Sequence, residues 1–217
     1  MLFRISKSDM VYAQVVLFLA IGLQLFTWSI SGGLTYGFHP LIIVSEVILA
    51  VLIGLGTHTS KHPGKSLYRV SSFILLGLIS VENISSLIIV AKLLITQSNI
   101  VTGYELLAAA LAIFLTNIIV FALWYWEIDS PGLSGRKWSK NDRDLLFTQQ
   151  ELSKEFPDWQ PKFTDYLYVS VTNAINFAPA DTKPLTRQAK ALMGTQALVS
   201  VFTLALVLAR SVSILGQ

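Results

Sequence analysis

The sequence predicts an all-α integral membrane protein, with about five transmembrane helices and a re-entrant half-helix before the last. Three observations carry this. Hydrophobic residues make up 53% of the 217 and charged residues 13%, with a mean hydropathy of +0.60, whereas a soluble domain carries about 25% charged residues. Apolar runs recur near the length of about 20 residues that spans hydrocarbon as a helix. Residues 163–215 then read as a short amphipathic segment, FTDYLYVSVTNAINF, a polar link, APADTK, and a long apolar run from Pro184 to Leu215. Non-helical backbone at membrane depth is tolerated only where protein or water covers it, so a half-length helix with a tight polar return implies a buried site or a path.

The first apolar run, Met10–Ile30, exceeds the core of about 7–15 residues of a signal peptide and reads as a spanning helix. Glycines and a proline in SGGLTYGFHP end it. The second run, Leu41–Gly56, is short for a span and extends back toward Phe38. After the basic loop THTSKHPGKSLYR comes a third run, Val70–Ile95, and a fourth, Tyr104–Trp126. The fourth ends in Leu123-Trp124-Tyr125-Trp126-Glu127, amphipathic rings expected at the headgroup level. Residues 128–162 form a polar connector rich in Pro and Gly. Within it, DRDLLFTQQELSKEF sets Leu145, Phe147, Leu152 and Phe156 among charges, as in a short helix lying on the bilayer surface or a solvated connector. The chain thus divides into three regions: 1–127 with four spans, the 128–162 connector, and 163–217.

Basic residues assign the sides. With five spans, one face receives Arg4, Lys7, Lys61, Lys65, Arg69, Arg136, Lys137, Lys140, Arg143, Lys154, Lys162, Lys183, Arg187 and Lys190, leaving only Lys92 and Arg210 for the other. The positive-inside rule therefore places the N-terminus and the 163–183 region in the cytoplasm, in a multi-pass protein of the plasma or inner membrane.

Composition also excludes function classes. With no cysteine there is no disulfide framework, thiol nucleophile or thiolate metal site. His39, His58 and His62 lack metal-ligand spacing. Mixed-sign charges give no nucleic-acid patch. No nucleophile elbow, phosphate loop or catalytic carboxylate pair is present; the expectation is a non-enzyme without a cofactor, whose partner is the lipid bilayer.

Ionisable and amide groups inside spans mark function or helix association. Glu46 lies in the second run, Glu82 and Asn83 near the middle of the third, and Asn117 in the fourth. Asn117 is in a position to bond Glu82 across an interface, either as interhelical glue or as part of an ion or proton relay. Ala108, Ala109, Ala110 and Ala112 in the fourth run, and Ala205 and Ala209 in the last, read as packing faces.

The segment SVTNAINFAPADTKPLT, residues 170–186, resembles the pore helix, filter and inner-helix start of potassium channels, whose filter reads Thr-Val-Gly-Tyr-Gly-Asp. The matching positions are Asn176, Phe177, Ala178, Pro179, Ala180 and Asp181, with Pro184 on a proline that often follows. Ser170, Val171 and Ala174 fit the small and apolar pattern of the pore helix. The last quarter of the chain is similarly close to a group of channel-like bacterial membrane proteins. The resemblance implies a homo-oligomer, a tetramer by analogy, passing monovalent cations along a path lined by Thr172, Asn173, Asn176 and Asp181. It departs where Ala178 and Ala180 stand in place of glycines that adopt positive φ, and where Pro179 fixes φ and lacks an N–H. A potassium-selective ring of carbonyls is thereby disfavoured, and a wider, weakly selective cation path with an Asp ring fits better. Potassium channels insert this loop from outside, while the basic residues here place it inside, as in glutamate-receptor channels. The alternative is a non-conducting scaffold or partner-binding protein that keeps a pore-like fold without its filter glycines.

Overall fold

The computed structural model describes residues 7–30, 39–59, 66–95, 101–134, 142–176 and 181–215. In chain order these form α1 (Lys7–Ile30), α2 (His39–Thr59), α3 (Ser66–Ile95), α4 (Gly103–Asp129), β1 (Leu145–Phe147), α5 (Thr148–Glu151), α6 (Phe163–Asn176), β2 (Thr182–Pro184) and α7 (Arg187–Leu215). The fold is all-α apart from one two-stranded antiparallel ribbon, which pairs Leu145 with Pro184 and Phe147 with Thr182. Four helices, α1, α3, α4 and α7, are long and apolar enough to cross a membrane by length and composition; the apolar part of α2, Pro40–Leu55, is shorter.

Helix α4 is the axis of the bundle, with α1, α3, α6 and α7 all packed against it. Its start is fixed by a capping box: Thr102 Oγ1 accepts from Glu105 N at 3.3 Å and the Glu105 carboxylate accepts from Thr102 N at 2.7 Å, closing two of the donors a helix start leaves open. Ala109, Ala110 and Ala112 are buried, where small side chains let neighbouring helices approach. Ala205 and Ala209, expected to pack in the same way, instead face outward on α7.

Many exposed positions on the long helices are apolar: Val15, Phe18 and Phe26 on α1, Leu41 and Ile48 on α2, Ile74 and Ile88 on α3, Phe202 and Leu208 on α7. Several polar groups turn inward, among them Gln24, Glu46, Glu82, Asn83, Asn117 and Gln196, which are buried. Hydroxyls within helices are satisfied by the carbonyl one turn earlier, as Thr27 on Leu23, Ser80 on Leu76 and Thr203 on Val199. Such back-bonding is the local answer where water is not the partner.

Helix ends sort into two levels. At one, α1 brings Asp9 within electrostatic range of Lys162 and Asp165, Gln14 reaches Gly54 near the end of α2, and Ser72 of α3 donates to Glu127 of α4 at 2.9 Å. The start of α7 joins the same level through Thr186, which donates to Asp144. At the opposite level Arg210 of α7 donates to Gly103 O at 3.3 Å. The long helices thus alternate in direction.

Two expectations are corrected. Tyr125 and Trp126 are 0% and 1% exposed, so they are core rather than headgroup anchors; Trp126 stacks edge-on against Phe163 of α6 at 5.4 Å, and half-buried Trp124 donates to Ser80 at 3.0 Å. DRDLLFTQQELSKEF is not one amphipathic helix. Leu145 and Phe147 alternate inward on β1, whereas Leu152 and Phe156 are exposed.

After Asp129 the chain turns through Gly132, whose φ of 62° lies in the left-handed region. A side chain there would also meet the Glu127 backbone and carboxylate, and that carboxylate accepts from Ser134 N at 3.2 Å. Gly132→Ala is expected to cost about 2 kcal/mol, since the left-handed conformation alone costs about 1–2. Thermal melts of the purified protein check this; an unchanged melting temperature contradicts it.

Candidate functional site

The polar centre of the molecule lies where α6 meets α4 and α7. Helix α6 begins with Lys162 N donating to Asp165 Oδ2 at 2.7 Å, which satisfies a start-of-helix donor with an acid well placed for the helix dipole. Burial pushes the Asp165 carboxyl above its ordinary range, opposed by that N–H and by the Lys162 charge. One buried face of α6 carries Phe163, Tyr166, Val169, Ser170, Asn173 and Ala174, the period of a helix with one covered side.

Two sets of bonds hold that face. At its start, Tyr166 Oη donates to Asp129 Oδ2 at 2.8 Å, while Asp129 Oδ1 accepts from Asp144 N at 2.6 Å and Leu145 N at 2.8 Å. Burial, reinforced by the neighbouring Asp129 carboxylate, holds the Tyr166 hydroxyl well above its ordinary pKa, so it remains a donor. One carboxylate therefore ties α4, β1 and α6 together. Further along, Asn173 Nδ2 lies 2.8 Å from Gln196 Oε1, 3.0 Å from Met193 O and 3.3 Å from Tyr125 Oη. Tyr125 Oη donates to Gln196 Oε1 at 2.5 Å. Gln196 Nε2 donates to Ser170 O and Oγ at 3.0 and 2.6 Å, and Ser170 Oγ donates to Ile118 O at 2.6 Å. Every donor in this set has an acceptor, the condition under which a buried polar network rigidifies a core.

The residues singled out in the sequence divide accordingly. Asn173 is buried in this network. Thr172 is half-buried and bonds back to Tyr168 O and Val169 O, both at 3.0 Å. Asn176 is exposed at the end of α6. Phe177, Ala178, Pro179 and Ala180 lie outside the described residues. Asp181 is half-buried; its carbonyl accepts from Thr148 N and Oγ1 at 3.2 and 2.8 Å, which closes the chain back onto α5 beside the β1–β2 ribbon.

Among the intramembrane polar residues, Glu46 and Glu82 are brought within electrostatic range of each other, and Asn83 is buried beside Glu82 in sequence. Asn117 instead turns to α7, donating to Ser200 Oγ at 2.9 Å. Tyr125, Asp129, Tyr166 and Gln196 escaped the sequence reading. Of these Gln196 carried the clearest signal, an amide in the middle of an apolar run. Among the described residues no group of three or more His, Asp or Glu is placed to hold a metal ion.

No protein-family model matches the chain, and comparisons with curated proteins and with solved structures return no significant match.

Asn173→Ala removes a buried donor shared by α4 and α7 and is expected to cost about 2 kcal/mol, against about 1 for Tyr166→Phe, which deletes one hydroxyl but leaves Asp129 two backbone donors. Melts of the two variants beside wild type check the order, and hydrogen exchange should show α6 loosened in the first.

Proposed function

We propose that the protein is a multi-pass, channel-like membrane protein in which α6 is a re-entrant half-helix and the assembled oligomer passes cations weakly selectively. The single observation that carries this reading is the course of α6. At 14 residues it is about 21 Å long, short of the hydrocarbon thickness of about 30 Å. It starts beside Asp129, and the chain after it is back at the same level by Thr182, paired with Phe147. A half-helix that leaves and returns on one side, buttressed by a full-length helix on each flank, is the scaffold a pore loop needs.

Five spans, α1 to α4 and α7, complete the reading, with α2 the shortest. Its charge pattern agrees with the alternation of helix ends: the level of Asp9, Ser72, Asp129 and Thr186 receives the basic connectors, and only Lys92 and Arg210 fall toward the other. That level is cytoplasmic by the positive-inside rule. Exposed Ile175, Asn176 and the outward face of α7, including Ala205 and Ala209, would line the subunit contacts and the path, with Asp181 at its mouth.

One observation favours the second reading, a non-conducting scaffold. Asn173, assigned to the lining by its resemblance to a pore helix, spends its amide inside the protomer. Fluxes of K⁺ and Na⁺ into proteoliposomes separate the two. Conduction above empty vesicles, reduced several-fold by Asp181→Asn or Asn176→Ala, is the expected outcome. Absent flux, or flux indifferent to both substitutions, leaves the scaffold reading standing.

A further inference from the structure

We propose that the opening turns of α7 hold one anionic phospholipid of the surrounding bilayer, its phosphate on Arg187 and Lys190 and an acyl chain along Ala191, Gly194 and Leu198. These residues are exposed, at spacings of three and four that keep them on one face of a helix. The opposite face is fixed inside the protomer. Ala189, Met193, Gln196 and Ser200 are buried, and Met193 O and Gln196 Oε1 both accept from Asn173 of α6. The buried network, and not the charges themselves, therefore turns the basic residues outward.

The outward stripe has a charged end and an apolar remainder. Thr186 donates to Asp144, whose own N–H donates to Asp129 at the end of α4, so Arg187 and Lys190 lie at a level of helix ends, the depth of lipid headgroups. Beyond them the exposed positions are Ala191, Gly194, Leu198, Val201 and Phe202, with Thr195 the polar exception. From Arg187 to Leu198 the rise is about 16 Å, close to one leaflet of a hydrocarbon core about 30 Å thick.

The second observation is an unanswered charge. Among the described residues, which include all 13 Asp and Glu of the chain, none forms an ion pair with Arg187 or Lys190. Nearby acids are engaged elsewhere: Asp144 by the Thr186 hydroxyl, Glu151 by Lys183 at 2.7 Å and Asp165 by Lys162 N. The Asp181 carboxylate lies in electrostatic range of Asp165. Basic side chains in a first turn oppose the helix dipole, so the stability of α7 does not account for them. Gly194 points the same way. A glycine inside a helix weakens it, yet a Cβ at this position would meet nothing within 4 Å, so packing within the protomer does not require a bare backbone there.

Charge selects the occupant. A second copy in the same bilayer carries the same basic turn at the same level, and setting this stripe against its like adds positive charge to positive. A cation path along these turns would meet the same two charges. A phosphate diester brings the missing negative charge, with oxygens that Arg187 takes as a bidentate pair and Lys190 as a point charge, and it carries its own apolar chains. Ala205 and Ala209, further along α7, stay available to subunit contacts, so the proposal holds whether or not the protein conducts.

The test is native mass spectrometry of the full-length protein released from nanodiscs that hold phosphatidylglycerol and phosphatidylcholine in equal amounts, with the same acyl chains. Wild type should retain phosphatidylglycerol in preference to phosphatidylcholine, and less of it after exposure to high NaCl. Arg187→Gln and Lys190→Gln should weaken that retention by about fivefold for each charge removed, and Gly194→Leu should weaken it with both charges in place. Lys154→Gln, on the exposed connector, should leave it unchanged. Equal retention of the two lipids by wild type overturns the proposal, as does undiminished preference in the variant lacking both charges. Displacement of the lipid by soluble glycerol phosphate assigns an anion site without a chain and overturns it. A Gly194→Leu protein with altered oligomeric state and unaltered lipid preference assigns the stripe to a second copy and overturns it too. Should the double variant fail to fold, Arg187→Lys against Arg187→Gln decides: preference kept in the first and lowered in the second supports the site, and equal preference in both overturns it.

Discussion

The fold of the C-terminal half depends on one carboxylate. Asp129 ends α4, is fully buried, and accepts from the backbone of Asp144 and Leu145 and from the Tyr166 hydroxyl. A buried acceptor of this kind is costly unless it is hydrogen-bonded, and here it accepts three donors, two at the start of β1 and one on α6. Strand β1 is thereby fixed, β2 pairs on it, and Asp144 in turn receives Leu185 N at 2.9 Å and the Thr186 hydroxyl, setting where α7 begins. The ends of the 163–186 segment are thus pinned before the path of α6 is specified.

The surroundings of α4 matter as much as its last residue. A helix apolar all round is buried, and the second half of α4 meets this condition because α6 covers its last turns. Burial of Tyr125 and Trp126 is the result of that cover. The rings that a local pattern assigns to the bilayer interface instead form the seat for Phe163 and, through the Tyr125 hydroxyl, for Gln196.

The helical architecture was legible from composition and run length, because both report directly on the solvent of the side chains. The helix of residues 163–176 was legible too, as the short amphipathic segment FTDYLYVSVTNAINF. The β1–β2 ribbon was not. Leu145 and Phe147 alternate over too few residues to be distinguished from an amphipathic turn, and pairing with Thr182–Pro184 across more than thirty residues leaves no local trace. Asn117 was misread for a related reason: its depth in α4 is visible in the sequence, but the side it faces depends on whether α3 or α7 packs there. Ala205 and Ala209 show the limit of a small-residue spacing, which marks a surface that helices can approach without saying that one does.

The buried polar groups of this protein fall into two sets with opposite accounts. In the α4–α6–α7 set, the donors of Tyr125, Ser170, Asn173 and Gln196 all meet acceptors, so the set has no demand left for a ligand and its physical effect is to fix α6 at one angle. In the α1–α2–α3 set, Glu46 and Gln24 bring acceptors without donors into a core lined by Ala20, Ile43 and Ile79. Hydrocarbon cannot solvate such acceptors, which stay costly unless a hydrogen-bond donor, a proton or a positive charge meets them. A half-length helix held rigid by a saturated network and a group of unpartnered acceptors in the neighbouring helices are therefore separable features of one bundle. They are connected through α4, against which both α1 and α6 are packed, and through the direct contacts of α1 with α6 and of α3 with α7.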